Sequence, residues 1–413
     1  MSERVAIVGS GMAGLAAADA CRRAGDAVTV FEAHDGHGMD AHVLEIDGGR
    51  IDVPLRVMSP QAWASVLAVA QRVGVGTFPV DTFVSCSWED GRTWFRSGRL
   101  PILGWPSVGS WRYLTPRSAR LAFGLMALRR QTRQLATADE ALTVAEFVAR
   151  IQPDPLFWRG LVLPLLTTIC TCEERHLLAW PAGQILSLLD EILHGGGLVR
   201  IHGGTSALVA GLGVGVERVS GSPVVRVAEH GAEVLVRNAR GDEGRFDRVV
   251  IATQSNQLDF LEGERYAEER RVLSTIRFDR GELVVHRDAR FMPARRSDWT
   301  ALNFRMDEAL GTPMFTVWVN AVEPSLADAS AVFQTWNPQF PVAPDRVLAH
   351  VAFERAVVHS GTAGVHDALS SWHGTPGRRI FYCGSWAYPG VPLLESAVRA
   401  GQAAAAALHD ARG

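Results

Sequence analysis

Lysine is missing altogether: the 41 basic residues are all arginines. Schiff-base chemistry on a lysine amine is therefore excluded, and one proton-shuttling group is lost to any catalytic scheme. Cysteine is scarce. The five residues Cys21, Cys86, Cys170, Cys172 and Cys383 are few and odd in number, which does not describe a disulfide framework. Cys170-Thr171-Cys172 reads as two buried structural thiols rather than a redox or metal pair. No apolar run reaches the ~18 residues of a membrane-spanning helix. The chain opens directly on a strand pattern, so no signal peptide is expected. With a net charge of −3, nothing argues for nucleic acid. These absences leave a cytoplasmic enzyme as the expectation.

What is present begins at the N-terminus. Val5-Ala6-Ile7-Val8 is a β-branched apolar run, followed by Gly9-Ser10-Gly11-Met12-Ala13-Gly14 and then by the helix-forming stretch Leu15 to Cys21. A second run, Ala27 to Phe31, ends at Glu32. Strand, glycine turn, helix, strand and acid stand in the order of a dinucleotide-binding unit. Gly9 permits the tight turn, Gly11 lets backbone approach a pyrophosphate, and Gly14 lets the helix lie close on the strand. The free N–H groups at the start of the helix attract phosphate. A carboxylate at Glu32 favours an unphosphorylated adenosine ribose, hence FAD or NAD over NADP.

Further along, Val43-Leu44-Glu45-Ile46 and Arg50 to Val53 flank Asp47-Gly48-Gly49 as a hairpin, and Phe83 to Ser87 pairs with Thr93 to Ser97 in another. The spacing predicts helices over Trp63 to Val73 and Ser118 to Leu135, the second amphipathic, with Leu121, Phe123, Leu125, Met126 and Leu128 among arginines. That helix is read as a lid or cap surface; contact with a membrane surface is the less favoured reading. Thr143 with Glu146, and Thr171 with Glu174, have the spacing of capping boxes. Strand patterns return at Leu198 to Ile201, and a helix opens at Gly203-Gly204-Thr205. Arg248 to Thr253 is a buried-type strand ending in small residues, and Leu393 to Leu408 is a long alanine-rich helix.

On the stretches Val5 to Glu32, Gly203 to Leu208, Asp247 to Thr253 and Tyr382 to Ala405, the chain resembles the FAD-dependent amine oxidase-like superfamily. Within it, it is most similar to bacterial predicted NAD/FAD-binding proteins associated with lipid modification. The resemblance implies an α/β fold: a Rossmann-type FAD-binding domain with an inserted mixed α+β substrate domain. The expected boundaries are 1–80, 196–260 and 376–413 for the FAD-binding part, and 81–195 with 261–375 for the substrate part. FAD contacts carried over are Gly9, Gly11, Met12, Ala13, Gly14, Glu32, Ala33, Gly38, Met39, Val225 (at the adenine), Ala252, Gly384, Ser385, Leu393 and Leu394. The C-terminal Gly-Ser with its long helix makes FAD better than NAD. That helix N-terminus can stabilise negative charge at the N1/O2 edge of a reduced flavin.

The chain also departs from the family pattern. The basic residue expected after Glu32 is missing, Met39 replaces a glycine, Pro54 stands where a glycine is common, and Ser385 stands where an acid often does. Amine oxidases of this type often carry a lysine near flavin N5, and this sequence has none.

Candidate catalytic residues are His42, Trp386 and Tyr388, with Asp52 and Glu395 as further acid/base options. Trp180, Phe315 and Trp318 are read as aromatic walls or ordinary core. No metal site is expected, although His34, His37 and His42 share one loop; a covalent flavin link would make these histidines the first suspects. The function expected is an FAD-dependent oxidoreductase that takes hydride from a hydrophobic small molecule, an amine or a lipid- or isoprenoid-like compound. The alternatives are a redox-neutral isomerase or dehydratase and a non-catalytic FAD-binding protein.

Overall fold

Two sheets carry the chain in a computed structural model that describes residues 2–36, 38–99, 106–135, 142–194 and 196–412. The first sheet is wholly parallel. Its order is β10 (Glu217–Val219), β2 (Ala27–Phe31), β1 (Arg4–Val8), β14 (Arg248–Ile251), β20 (Ile380–Tyr382). A parallel sheet is covered on both faces, which explains why β1 and β14 read as continuous apolar runs. Side chains alternate between the two faces. Val5, Ile7, Val28, Val30 and Phe381 face α1 (Met12–Arg23) and α12 (Leu394–Asp410). Ala6, Val8, Phe31, Ile251 and Tyr382 face the other layer. That layer holds the three-stranded sheet of β11 (Val224–His230), β12 (Glu233–Asn238) and β13 (Glu243–Phe246), with α10 (Glu264–Leu273) and α11 (Thr362–His373).

The alanine-rich character of α12 has a packing reason. It crosses α1 so closely that a methyl group on Gly401 would overlap the carbonyl oxygen of Ala13. Ala400, Ala404 and Ala405 complete this buried seam.

The second sheet has eight strands in the order β19 (Val347–Val357), β15 (Arg277–His286), β18 (Phe333–Trp336), β17 (Met314–Trp318), β16 (Leu302–Met306), β6 (Val84–Trp88), β7 (Thr93–Arg99), β8 (Pro106–Val108). Only β16 and β6 pair in parallel within it. Two hairpin-sized pairs complete the strands: β3 (Leu44–Ile46) with β4 (Gly49–Ile51), and β5 (Thr77–Val80) with β9 (Leu198–Ile201). The remaining helices are α2 (Ala64–Arg72), α3 (Pro116–Leu135), α4 (Val144–Ile151), α5 (Pro155–Phe157), α6 (Leu163–Cys170), α7 (Glu174–Leu177), α8 (Ala182–His194) and α9 (Gly204–Leu212). Helices α3 to α8 bury Leu121, Phe147, Leu166 and Ile185 against Trp94, Phe304 and Met306 of the eight-stranded sheet.

Three local expectations change. Thr143 and Glu146 do form a reciprocal capping box, but Thr171 and Glu174 do not. Thr171 ends α6 in the left-handed region (φ 46°), so it cannot take the extended conformation of an N-cap, and Glu173 precedes α7 instead. The apolar residues of α3 also divide. Leu121 and Leu128 are buried and Gly124 lies against the ring of Phe157, whereas Phe123 and Met126 are 67% and 60% exposed. Finally, residues 44–55 pack through Ile51 and Val53 against Leu283 and Val285 of the eight-stranded sheet, and α10 and α11 pack on the five-stranded one.

Candidate cofactor and substrate site

The glycine turn leaves β1 at Gly9, whose φ of 103° is a backbone state that favours glycine. A methyl group on Gly14 would overlap the Gly9 carbonyl and lie 3.1 Å from the Cβ of Ala252, so helix α1 can sit this close to β1 and β14 only with glycine there. Beside Gly11 nothing lies within 4 Å of where a Cβ would be. Gly11 caps α1 without a side-chain hydrogen bond, and no acid occupies the first helical turn. The start of α1 is thus left without a side-chain cap, with the positive end of the helix dipole behind it.

Glu32 is buried at the end of β2 and accepts from the Ser10 amide (2.9 Å), the Ser10 hydroxyl (2.7 Å) and the His34 amide (3.0 Å). Burial pushes its pKa up, but these donors outweigh that effect and hold it below the usual glutamate value. The Ser10 hydroxyl in turn accepts from the Gly38 amide at 2.9 Å, so the loop after Glu32 folds back over the glycine turn. Ala33 is exposed just beyond Glu32, and Gly38 is exposed within the same loop. Met39, in place of a glycine, is buried against the α1–α12 layer.

From Met39 a cleft runs along α9 and the start of α12. Its walls include Met58, Leu208 and Leu394, with Asp52 and Arg56 as the charged members. Asp52 is taken: its Oδ1 accepts from the amide (2.9 Å) and hydroxyl (2.6 Å) of Thr205 at the start of α9, and Arg200 lies 3.9 Å from its Oδ2. Arg200 itself is buried and pairs with Glu323.

Glu395 is committed as well. Its carboxylate accepts from the Ser65 and Val66 amides at 2.9 and 3.2 Å, capping α2 from 330 residues away, and pairs with Arg399 at 2.8 Å. This is the partner that a buried Glu395 requires, and it removes Glu395 as a free acid/base group.

Other candidates fall in different places. Gly384, Ser385 and Trp386 follow β20. Trp386 is buried, donates its indole N–H to the Thr253 carbonyl at 3.1 Å and belongs to the core. It shares a second, narrow cleft with Tyr388, Ser385 and His366. Tyr388 is half-buried, with the Arg399 guanidinium 5.8 Å from its ring centre. Leu393 is the N-cap of α12 and is half-buried between two clusters.

His42 is exposed and meets the ring of Phe353 edge-on at 5.4 Å. Burial of part of its ring, with the charges of His34 and Arg56, lowers its pKa. His37 lies outside the described residues. Trp180 is fully buried core, Phe315 stacks on Phe304, and Trp318 lies against Trp299 and under Arg296.

Val225 is 46% exposed and stands where the register of β11 shifts, between Val224 and Arg226. Val224, one residue earlier, is the half-buried one that packs with the cluster containing Phe31.

The description "flavin containing amine oxidoreductase" matches residues 12–280, more than half of the chain. The chain belongs to that family. AofH of Mycobacterium tuberculosis, named for flavin-containing monoamine oxidase activity, is 28% identical over 263 residues; the match spans 60% of this chain and 56% of that protein. The chain therefore aligns with little more than half the length of this curated relative.

Solved structures of similar fold include a fatty acid isomerase from P. acnes (TM-score 0.68, 16% identity, 97% of both chains) and cyclohexylamine oxidase from Brevibacterium oxydans (0.67, 16%, 99% of both). Putrescine oxidase bound to putrescine aligns with TM-score 0.65 at 16% identity over 98% of both chains. FAD is the cofactor of the family, and the residues present fit it. The uncapped start of α1 beside the open space at Gly11 suits a pyrophosphate. The Glu32 carboxylate suits a ribose hydroxyl.

Sequence reading missed Arg56, which lines the cleft.

Proposed function

We propose that this chain is an FAD-dependent oxidoreductase that removes hydride from a hydrophobic small molecule, oxidising or desaturating it. The observation that carries the reading is the α1 N-terminus, left without any side-chain cap and facing open space at Gly11, with Glu32 placed next to the same turn. The bound flavin would supply the hydride acceptor. The chain's own part is to hold and orient. Gly9 to Gly14 would hold the diphosphate and Glu32 the adenosine ribose. Gly38 and Met39 would bring the following loop over the turn. Leu394, at the start of α12, would lie against the flavin end with the helix dipole behind it.

Substrate would be oriented in the cleft walled by Met39, Met58, Leu208 and Leu394, an apolar lining that excludes water from a reacting C–H bond. Val225, exposed on β11, would meet the adenine. A redox-neutral isomerisation is the second reading, favoured by the absence of any lysine to assist at the flavin.

The test is the visible spectrum of the purified protein before and after acid precipitation. A flavin spectrum released to the supernatant supports noncovalent FAD, and anaerobic bleaching by substrate supports net oxidation. A product of unchanged mass would replace oxidation by isomerisation. No flavin after incubation with FAD would refute the proposal.

A further inference from the structure

Carboxylates are missing from one long stretch of this chain. From Gly91 to Ala138 there is no aspartate or glutamate, while nine arginines stand in the same stretch. It holds β7, the 3-10 turn Trp111–Tyr113 and helix α3.

Packing accounts for one side of α3. Leu121 and Leu128 are buried, and Leu125 packs against the same cluster. Arg129 reaches Asp190 of α8 at 3.4 Å. The opposite side is left open. Ala119, Phe123, Met126 and Arg130 are exposed and follow one another at intervals of four, three and four residues, which makes one stripe down the helix. Arg120 and Arg133 flank that stripe and are exposed as well. Just before the helix, Trp111 and Leu114 are each more than half exposed.

The charge here is uncompensated. Among the described residues, Arg112, Arg117, Arg120, Arg130 and Arg133 make no ion pair. Two acids on the helices that pack against α3 are already used. Asp190 of α8 pairs with Arg129 and with His194 at 2.9 Å. Asp154 accepts from the Leu156 and Phe157 amides as the cap of α5.

We propose that this face docks on the surface of an anionic phospholipid bilayer. Trp111, Leu114, Phe123 and Met126 enter the headgroup layer, and the arginines beside them meet lipid phosphates. Large apolar side chains ringed by cations and free of acids match a surface that is apolar below and negative above. A second copy of this chain does not match it: a two-fold contact sets the same patch against itself, arginine against arginine. Among the described residues no helix is long and apolar enough to cross a membrane; the contact proposed is a face laid on the bilayer, not a span.

The test is co-sedimentation of the full chain with vesicles of phosphatidylcholine alone, and with vesicles that also hold about 30% phosphatidylglycerol, at about 0.1 M and about 0.5 M salt. The chain is expected to bind the mixed vesicles at the lower salt, to bind them less at the higher, and to leave the neutral ones in the supernatant. Each arginine near an anionic surface contributes about fivefold in affinity, so Arg130→Gln with Arg133→Gln should weaken binding about 30-fold. Phe123→Ser keeps the charge and should weaken it about 10-fold through lost apolar burial. Its urea midpoint should equal that of the wild type, because the side chain is exposed. Met126→Ser, on the same stripe, serves if Phe123→Ser does not fold.

No binding to the mixed vesicles, or equal binding to both kinds, would overturn the proposal. Wild-type binding by both Phe123→Ser and Met126→Ser would reduce the contact to charge alone and overturn the docking of the apolar stripe. A dimer in sedimentation velocity that Phe123→Ser disperses would assign the face to a second copy instead. None of these readouts uses the flavin, so a negative result leaves the proposed oxidoreductase function standing.

Discussion

Acidification from pH 7 to pH 5 should destabilise this protein through two interior histidines. His286 is fully buried. Its Nδ1 accepts from the Asp288 amide at 3.1 Å, which leaves Nε2 to donate to the Thr335 hydroxyl at 2.8 Å. His373 accepts from the Tyr382 amide on Nε2 at 3.0 Å. Both rings must stay neutral to keep these bonds. Burial pushes the His286 pKa down to about 4, with Asp288 offsetting only part of it, and burial together with Arg378 pushes His373 down to about 3.

The unfolded chain titrates near 6.5, so between pH 6.5 and these lower values the unfolded state binds more protons. Stability therefore rises with pH across that window and falls on acidification. At pH 5 each histidine is about 1.5 units below the unfolded pKa, a loss of about 2 kcal/mol per residue and about 4 kcal/mol together at 1.36 kcal/mol per unit. Urea unfolding at pH 7, 6 and 5 measures this directly. His373→Gln retains a side-chain acceptor for the Tyr382 amide without a titrating ring, so its loss over the same range should shrink by about 2 kcal/mol. If the variant loses as much stability between pH 7 and pH 5 as the wild type, the assignment of the acid sensitivity to His373 is wrong.

Three further outcomes test the packing and the cofactor site. Gly14→Ala should give a folded but flavin-free protein, because the new methyl overlaps the Gly9 carbonyl and must push α1 off β1; retained flavin by absorbance would contradict this. Glu395→Ala should lower stability by about 1 to 2 kcal/mol through loss of the remote cap on α2, read as a shift in the urea midpoint. Glu269→Gln leaves the fully buried Arg378 guanidinium without its bidentate carboxylate, with a single carbonyl oxygen to serve both it and the Tyr382 hydroxyl. A loss of about 3 to 5 kcal/mol is expected, and a loss under about 1 kcal/mol would show that water reaches Arg378.

Elements whose logic is local were legible from residue order. The strand, glycine turn and helix over Val5 to Cys21 were read directly, as were the Thr143–Glu146 capping box and the buried strand at Arg248. In each, the interacting groups lie within a few residues of one another, so their spacing is the signal. Thr171 failed the same test because its spacing fitted a cap while its backbone was already used to end α6.

Alone, the sequence determined the dinucleotide-binding strand, turn and helix and the carboxylate at the second strand, because apolar periodicity and glycine placement act over short distances; the choice of FAD over NAD followed from the family resemblance. Only the tertiary structure decided what the remaining charged residues do. Glu395 caps a helix 330 residues earlier in the chain, Asp52 caps one 153 residues later, and Arg378 meets Glu269 across 109. Whether a charge is satisfied depends on which distant backbone amides or side chains the fold brings to it, and spacing along the chain carries no record of that.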